Sequence, residues 1–180
     1  MKILDVVIMA VLSAAVTVGA ALAYRQVWGV YEEKAEELPA IADEMTVPLG
    51  DSVAENVTAL TVCYDANGTA VAYRVRTQAM GYHAEQPIVL DVTVSADAKT
   101  LVGIAVVQQK ESEYYGARIA TAEFTSRFEG RKLPVFLTGT AGRGAHIDGI
   151  SGATTSSKAV VSAVDTAYTF VRTYLVEGEE

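Results

Sequence analysis

Apolar and polar positions divide this chain into segments of different kinds. The first is a run from Val6 to Tyr24 that is apolar or small throughout and carries no charge. At about 1.5 Å rise per residue, a helix of that length reaches roughly 28 Å, near the hydrocarbon thickness of a bilayer. Lys2 and Asp5 precede the run, and Arg25 and Trp28 follow it, as interfacial anchors do. The pattern predicts a membrane-spanning anchor. Ala21-Leu22-Ala23 offers the alternative of a signal-peptidase site, but the run is long for a signal peptide and Lys2 is offset by Asp5. Basic residues on both sides, Lys2 against Arg25 and Lys34, give orientation no direction. The next segment, Tyr31 to Met45, is acidic and helix-favouring and is broken by Pro39. It reads as a stalk with a solvated face.

From Val57 the period shortens to two. Val57 to Tyr64 and Thr69 to Thr77 read as strands joined by a turn at Asp65-Ala66-Asn67-Gly68. Ile88 to Ser95 alternates: Ile88, Leu90, Val92 and Val94 face one way, and Val89, Asp91, Thr93 and Ser95 the other. Ala96 to Lys99 is the next turn, and Leu101 to Gln108 the next strand. These predict an antiparallel meander with one face to bury. Ala117 to Phe128 reads as a helix with Ile119, Phe124 and Phe128 inward, stopped by Gly130. Leu133 to Leu137 is a short strand, and Thr138 to Ile150 a glycine-rich loop. Ser156 to Leu175 is a long helix whose Val160, Val164, Ala167, Val171 and Leu175 form a core stripe. The fold class is α+β.

Length and charge narrow the function. The chain has 180 residues, enough for one domain and an appendage. Its net charge is −8 with no basic cluster, which excludes nucleic acid as a partner. The single cysteine, Cys63, rules out an internal disulfide and fits a packed core thiol. His83 and His146 lie far apart, without ligand spacing.

The chemistry concentrates between Asp148 and Ser157. Asp148-Gly149-Ile150-Ser151-Gly152-Ala153-Thr154-Thr155-Ser156-Ser157 packs two glycines, an acid and five hydroxyls in front of a helix. Exposed N–H groups, small side chains and a helix N-terminus make a phosphate seat. Ser and Thr also serve as plain N-caps, which is the competing reading. The stretch has neither the Gly-x-x-x-x-Gly-Lys-Ser/Thr of a P-loop nor the Gly-x-Ser-x-Gly of a nucleophile elbow.

Asp148, Ser151, Gly152, Ala153 and Thr154 resemble, without a gap, the Asp-x-x-Ser/Thr-Gly-Ala-Thr signature of covalent FMN-binding domains. The resemblance implies FMN carried by Thr154 through a phosphoester, attached by a separate flavin transferase that uses FAD and a divalent metal. Only the family register favours Thr154 over its neighbour Thr155. Asp148 either helps the transferase's metal or holds the loop.

A second region is similar to the G subunit of Rnf electron-transport complexes. Gly81-Tyr82, Pro87 to Leu90, Val102 to Val107 and Lys110-Glu111-Ser112 follow the order seen there. Where the family commonly reads Lys-Glu-Thr-Pro-Gly-Leu-Gly, this chain has Lys110-Glu111-Ser112-Glu113-Tyr114-Tyr115-Gly116. In the family this loop lies near the flavin. Glu111 then either bonds the flavin or orients the loop. Tyr114 and Tyr115 either stack on the isoalloxazine, cover core, or meet a neighbouring protein.

The resemblance implies a transmembrane anchor over residues 1–30, an acidic linker over 31–50 and a covalent FMN-binding domain over 51–180. The cofactor site would comprise Thr154 with Ser151, Gly152, Ala153, Thr155, Asp148, Glu111, Ser112 and Tyr115. The chain has no acid/base pair or activated nucleophile of its own, so the hard chemistry belongs to FMN. The implied protein is a single-pass component of the inner or plasma membrane with its flavin domain on the extracytoplasmic side. It would relay electrons among A, C, D and E-like subunits of an ion-translocating ferredoxin:NAD oxidoreductase. The C subunit of sodium-translocating NADH:quinone reductase and an exported FMN-binding sensor are the alternatives.

Overall fold

The computed structural model describes residues 39–47, 49 and 54–177. The expected anchor and most of the expected stalk lie outside these residues. Among the described residues no helix is long and apolar enough to cross a membrane.

Six strands run in chain order across one antiparallel sheet: β1 (Asp43–Val47), β2 (Val57–Tyr64), β3 (Ala70–Ala79), β4 (Ile88–Ser95), β5 (Thr100–Gln108) and β6 (Arg131–Lys132). Local chemistry closes the hairpins. Between β2 and β3 the Asp65 carboxylate accepts the N–H groups of Asn67 and Thr69, and Gly68 takes φ +81°. Between β4 and β5 the Asp97 carboxylate accepts the N–H of Lys99, and Ala98 turns at φ +56°. β1 is a departure from the helix-favouring reading of Tyr31 to Met45. Its residues extend along β2, with Glu44 opposite Cys63.

The expected alternation of β4 holds on its inner face, where Ile88, Leu90, Val92 and Val94 are all buried. Ser95 departs from it. It belongs by parity to the outer face but is buried, because its hydroxyl donates to Asp97 and accepts the N–H of Thr100. The same outer face carries two bidentate pairs, Arg74 with Glu44 and Arg76 with Asp91. Cys63 lies on this side, opposite Ala72 and Glu44. It is buried, but apart from the main apolar cluster. Burial pushes its thiol up, and the Arg74 charge pulls the other way.

Ala117 to Phe128 is not one helix. A 3-10 turn over Gly116–Ala120 gives way to α1 (Ala122–Thr125) and a second 3-10 turn over Ser126–Phe128. Thr121 makes the break. It is extended, with φ −79° and ψ 148°, and its hydroxyl donates to the Arg118 carbonyl at 2.8 Å. A Thr hydroxyl that bonds nearby backbone competes with helix continuation. Ile119, Phe124 and Phe128 are nonetheless buried as expected.

The stretch from Thr138 to Ile150, expected to be loop, also contains a strand. β7 (Val135–Leu137) and β8 (Ala145–Ile147) pair in parallel, Phe136 beside His146. The long helix α2 runs over Thr154–Phe170 and passes into a π-helical turn at Val171–Val176. It lies on the inner face of β3 and β4. Val160, Val164, Ala167 and Val171 are fully buried in the main cluster, while Leu175 is half-buried at its margin. The buried Thr77 hydroxyl donates to the Ala163 carbonyl at 3.1 Å and pins the middle of α2 to β3. The whole is an α+β domain with an antiparallel sheet backed by helices.

Candidate functional site

Packing of α2 on the sheet brings its first turn beside two loops. One follows β3 and holds Gly81, Tyr82 and His83; the other follows β5 and runs from Gln109 to Gly116. A cavity of about 490 Å³ opens between them. The segment from Gly152 to Ser156 lines it, together with Tyr82, Ser112 and Tyr115. None of these side chains is charged.

The hydroxyl-rich segment does not cap its helix. The N-cap position is Ala153, which makes no side-chain cap hydrogen bond, and among the described residues no side chain accepts a first-turn N–H. The first helical bond runs from Ser157 N–H to the Ala153 carbonyl. The N–H groups of Thr154, Thr155 and Ser156 therefore have no partner within the helix. The five hydroxyls divide in two. Ser157 is buried, donating to the Ala153 carbonyl and accepting the Ile150 N–H, each at 3.0 Å. Ser156 is buried and donates to Glu111. Ser151, Thr154 and Thr155 are exposed, and among the described residues their hydroxyls make no hydrogen bond. Gly152 enters the turn at φ +80°, and the Tyr115 ring lies directly on it: a Cβ there would come within 2.8 Å of Tyr115 Cδ1.

Glu111 stands behind the cavity wall rather than in its lining. It is 7% exposed, and its carboxylate accepts the N–H of Tyr82 at 3.0 Å and of His83 at 3.2 Å, as well as the Ser156 hydroxyl. Burial alone would push this carboxyl up. The hydrogen bonds from Ser156, Tyr82 and His83 outweigh burial and hold it below the usual glutamate range. Ser112 shapes its own loop, its hydroxyl accepting the Gly116 N–H at 3.1 Å.

Asp148 lies outside the lining. Its carboxylate accepts the Thr138 hydroxyl at 2.7 Å, and its carbonyl accepts Arg127 Nη1 at 2.8 Å. Ser151 is likewise outside. The structure thus brings Ser112, Tyr115, Gly152, Ala153, Thr154 and Thr155 to one cavity and leaves Ser151, Asp148 and Glu111 at its back or flank. Tyr114 is 82% exposed beside it. Sequence reasoning missed Tyr82 and Ser156. Gly81 immediately before Tyr82 was a signal for the first. Ser156 stood among the five hydroxyls before the helix, but nothing marked its partnership with Glu111, 45 residues away. Among the described residues no group of three or more His, Cys, Asp or Glu side chains gathers to hold a metal.

Three comparisons bear on this geometry. The family described as FMN-binding domain matches residues 81–169, a range that contains both loops and most of α2. The G subunit of the ion-translocating oxidoreductase complex of Methanosarcina acetivorans is 36% identical over 143 residues, covering 78% of this chain and 73% of that protein. Among solved structures, the C subunit of the Na(+)-translocating NADH-quinone reductase of Parabacteroides distasonis superposes with a TM-score of 0.55 at 22% identity, over 76% of this chain and 78% of its own. NqrC of Shewanella oneidensis superposes at 0.54 and 20% identity, over 79% and 72%. At those identities the structures share the fold.

Proposed function

This chain belongs to the family of G subunits of ion-translocating oxidoreductase complexes, and from that premise we propose a membrane-anchored flavoprotein that relays electrons through FMN joined to Thr154. The complex would be an ion-translocating ferredoxin:NAD oxidoreductase with A, C, D and E-like partners. Residues 1–30 would anchor it, with the flavin domain on the extracytoplasmic side.

The distribution of hydroxyls around the first turn of α2 carries this reading. Simple capping would use a hydroxyl on a first-turn N–H, and among the described residues none is so used. Instead Thr154 and Thr155 expose free hydroxyls on the cavity while the N–H groups beside them stay open. Open amides at a helix N-terminus suit a phosphate without help from a basic side chain. The cavity volume is that of a small-molecule site. The residues present therefore fit FMN.

When bound, FMN supplies one- and two-electron transfer. The chain does the rest. Thr154 Oγ takes the phosphoester. Attachment would join Thr154 Oγ to phosphorus as the diphosphate of FAD is cleaved, with AMP and the hydroxyl proton leaving, and a transferase would supply the catalysis. The N–H groups of the first turn would hold the phosphate oxygens. Gly152 brings backbone close without a side chain, and Tyr82, Ser112 and Tyr115 bound the space for the ring. The 36% identity to a G subunit favours this complex over the NADH-quinone reductase alternative, for which the likeness is one of fold.

In-gel flavin fluorescence after denaturing electrophoresis tests the reading. Wild type, Thr154→Val and Thr155→Val are each co-expressed with a flavin transferase proven on a control. A fluorescent band in wild type and Thr155→Val, lost in Thr154→Val, is expected. A dark wild-type band overturns the covalent attachment, and loss only in Thr155→Val moves the linkage by one residue.

A further inference from the structure

Glu111 joins three segments that are distant in sequence. Its carboxylate holds the N–H groups of Tyr82 and His83 in the loop after β3, and the Ser156 hydroxyl in the first turn of α2. Its own N–H donates to Gln109 Oε1 at 2.6 Å. Two glycines make the space it fills. A Cβ on Gly81 would lie 2.7 Å from Glu111 Cδ, and one on Gly116 would lie 2.6 Å from Glu111 Cβ and 3.0 Å from Ser156 Oγ. Such separations force something to shift. The carboxylate is thus fitted to a glycine cradle, with both oxygens engaged by the chain itself.

Two of the groups it holds are walls of the cavity: Tyr82 through its backbone, and Ser156 two residues after Thr154. We propose that Glu111 is a positioning residue of the flavin site, acting through Tyr82 and Ser156 to fix the aromatic wall against the helix turn that carries Thr154. This rests on the flavin reading above. It assigns Glu111 to the wall rather than to the flavin, and it adds Tyr82 as an aromatic neighbour of the bound ring.

The chemistry distinguishes the two roles. In Glu111→Gln one acceptor oxygen becomes an amide NH₂, which cannot accept, so an N–H of Tyr82 or His83 loses its partner. Ser156→Ala cuts the link to α2 but leaves both N–H bonds. If Glu111 acts through the wall, either change frees Tyr82 relative to the ring, and the double variant adds nothing further. Residues acting in one network are non-additive in this way.

The test uses the full chain as wild type, Glu111→Gln, Ser156→Ala and the double variant, with thermal melts to establish folding. The first readout is amide hydrogen exchange at Tyr82 and His83, which needs no flavin. Exchange at one or both is expected to accelerate about tenfold or more in Glu111→Gln and to stay near wild type in Ser156→Ala. The second is native-state emission of the attached flavin, which a nearby tyrosine quenches. Emission is expected to rise in both single variants, with the double no brighter than the brighter single. Unchanged exchange in Glu111→Gln overturns the proposal. So does additive emission, or emission changed by Glu111→Gln and untouched by Ser156→Ala, either of which makes Glu111 a direct flavin contact. Should Glu111→Gln not fold, unchanged emission in Ser156→Ala overturns the proposal and a rise supports it. A wild type without flavin defeats the flavin reading instead, and the exchange pattern then decides the positioning role alone.

Discussion

Gly152 meets two demands at one position. Its φ of +80° belongs to the left-handed region, and the Tyr115 ring leaves no room for a Cβ. Gly152→Ala is expected to cost about 1–2 kcal/mol from the backbone alone, with a further loss as the Tyr115 ring is displaced. Urea unfolding measures the total. Repeating the change in a Tyr115→Ala background should recover the steric part and leave the backbone part. An undiminished stability in Gly152→Ala would contradict the geometry. At this scale much of the candidate site was legible in sequence, Gly152, Thr154 and Thr155 through local glycine and hydroxyl chemistry and Ser112 and Tyr115 through the family resemblance of their loop. Thr154, Thr155, Gly152, Ser112 and Tyr115 all reach the cavity. The partnership of Glu111 with Ser156 was not legible. It spans 45 residues and arises only when α2 docks, so no periodicity encodes it.

Among elements, the strands were the legible part. β2 and β4 have the expected bounds, β3 begins one residue and ends two residues later than expected, and β5 begins one residue earlier. Period-two alternation set their faces, and Asp, Asn and Gly set their turns. The segment after β5 was not legible as built. Ile119, Phe124 and Phe128 promised one helix, but Thr121 restarts the chain between them, so burial was foreseen and continuity was not. β8 escaped because three residues, Ala145, His146 and Ile147, are too few to establish a period. The broken segment still carries a large share of the packing. Phe128 is fully buried and meets Phe124 edge to face at 5.3 Å. Phe128→Ala is expected to destabilise by about 3–5 kcal/mol, read as a lowered urea midpoint at unchanged m-value. A loss well under about 1 kcal/mol would mean that the segment is not part of the cooperative core.

For the whole molecule, charge and acid sensitivity come together. The chain carries a net charge of −8, which favours solubility and repels like-charged neighbours. Hydrogen bonds hold the turn carboxylates Asp65 and Asp97 below the usual range, and Glu111 is the buried carboxylate that shares this behaviour. Burial raises this carboxyl, but its hydrogen bonds lower it more, so the folded state binds the proton less readily than the unfolded chain. Its contribution to stability is therefore complete above the ordinary glutamate value of about 4.3 and is lost as pH falls below it. Wild type should be more stable than Glu111→Gln at about pH 7, with the gap unchanged down to about pH 5 and narrowing through about pH 4 and 3. Chemical denaturation of the two proteins side by side checks this, and a constant gap across that range would show that the carboxylate's charge is irrelevant to the fold.

The sheet is a chain-order meander, and that order has a temporal side. β2 to β5 follow one another through two short turns and the loop of residues 80–87, so each hairpin can pair soon after its second strand leaves the ribosome. α2 is made after the whole sheet, yet it closes on Thr77, 86 residues before its Ala163 partner, and on Glu111. An incomplete chain can own a sheet while lacking the surface that presents Thr154. On the proposed attachment chemistry, maturation is then a late event: the flavin is loaded onto a finished domain, and chains stalled before the end of α2 carry none.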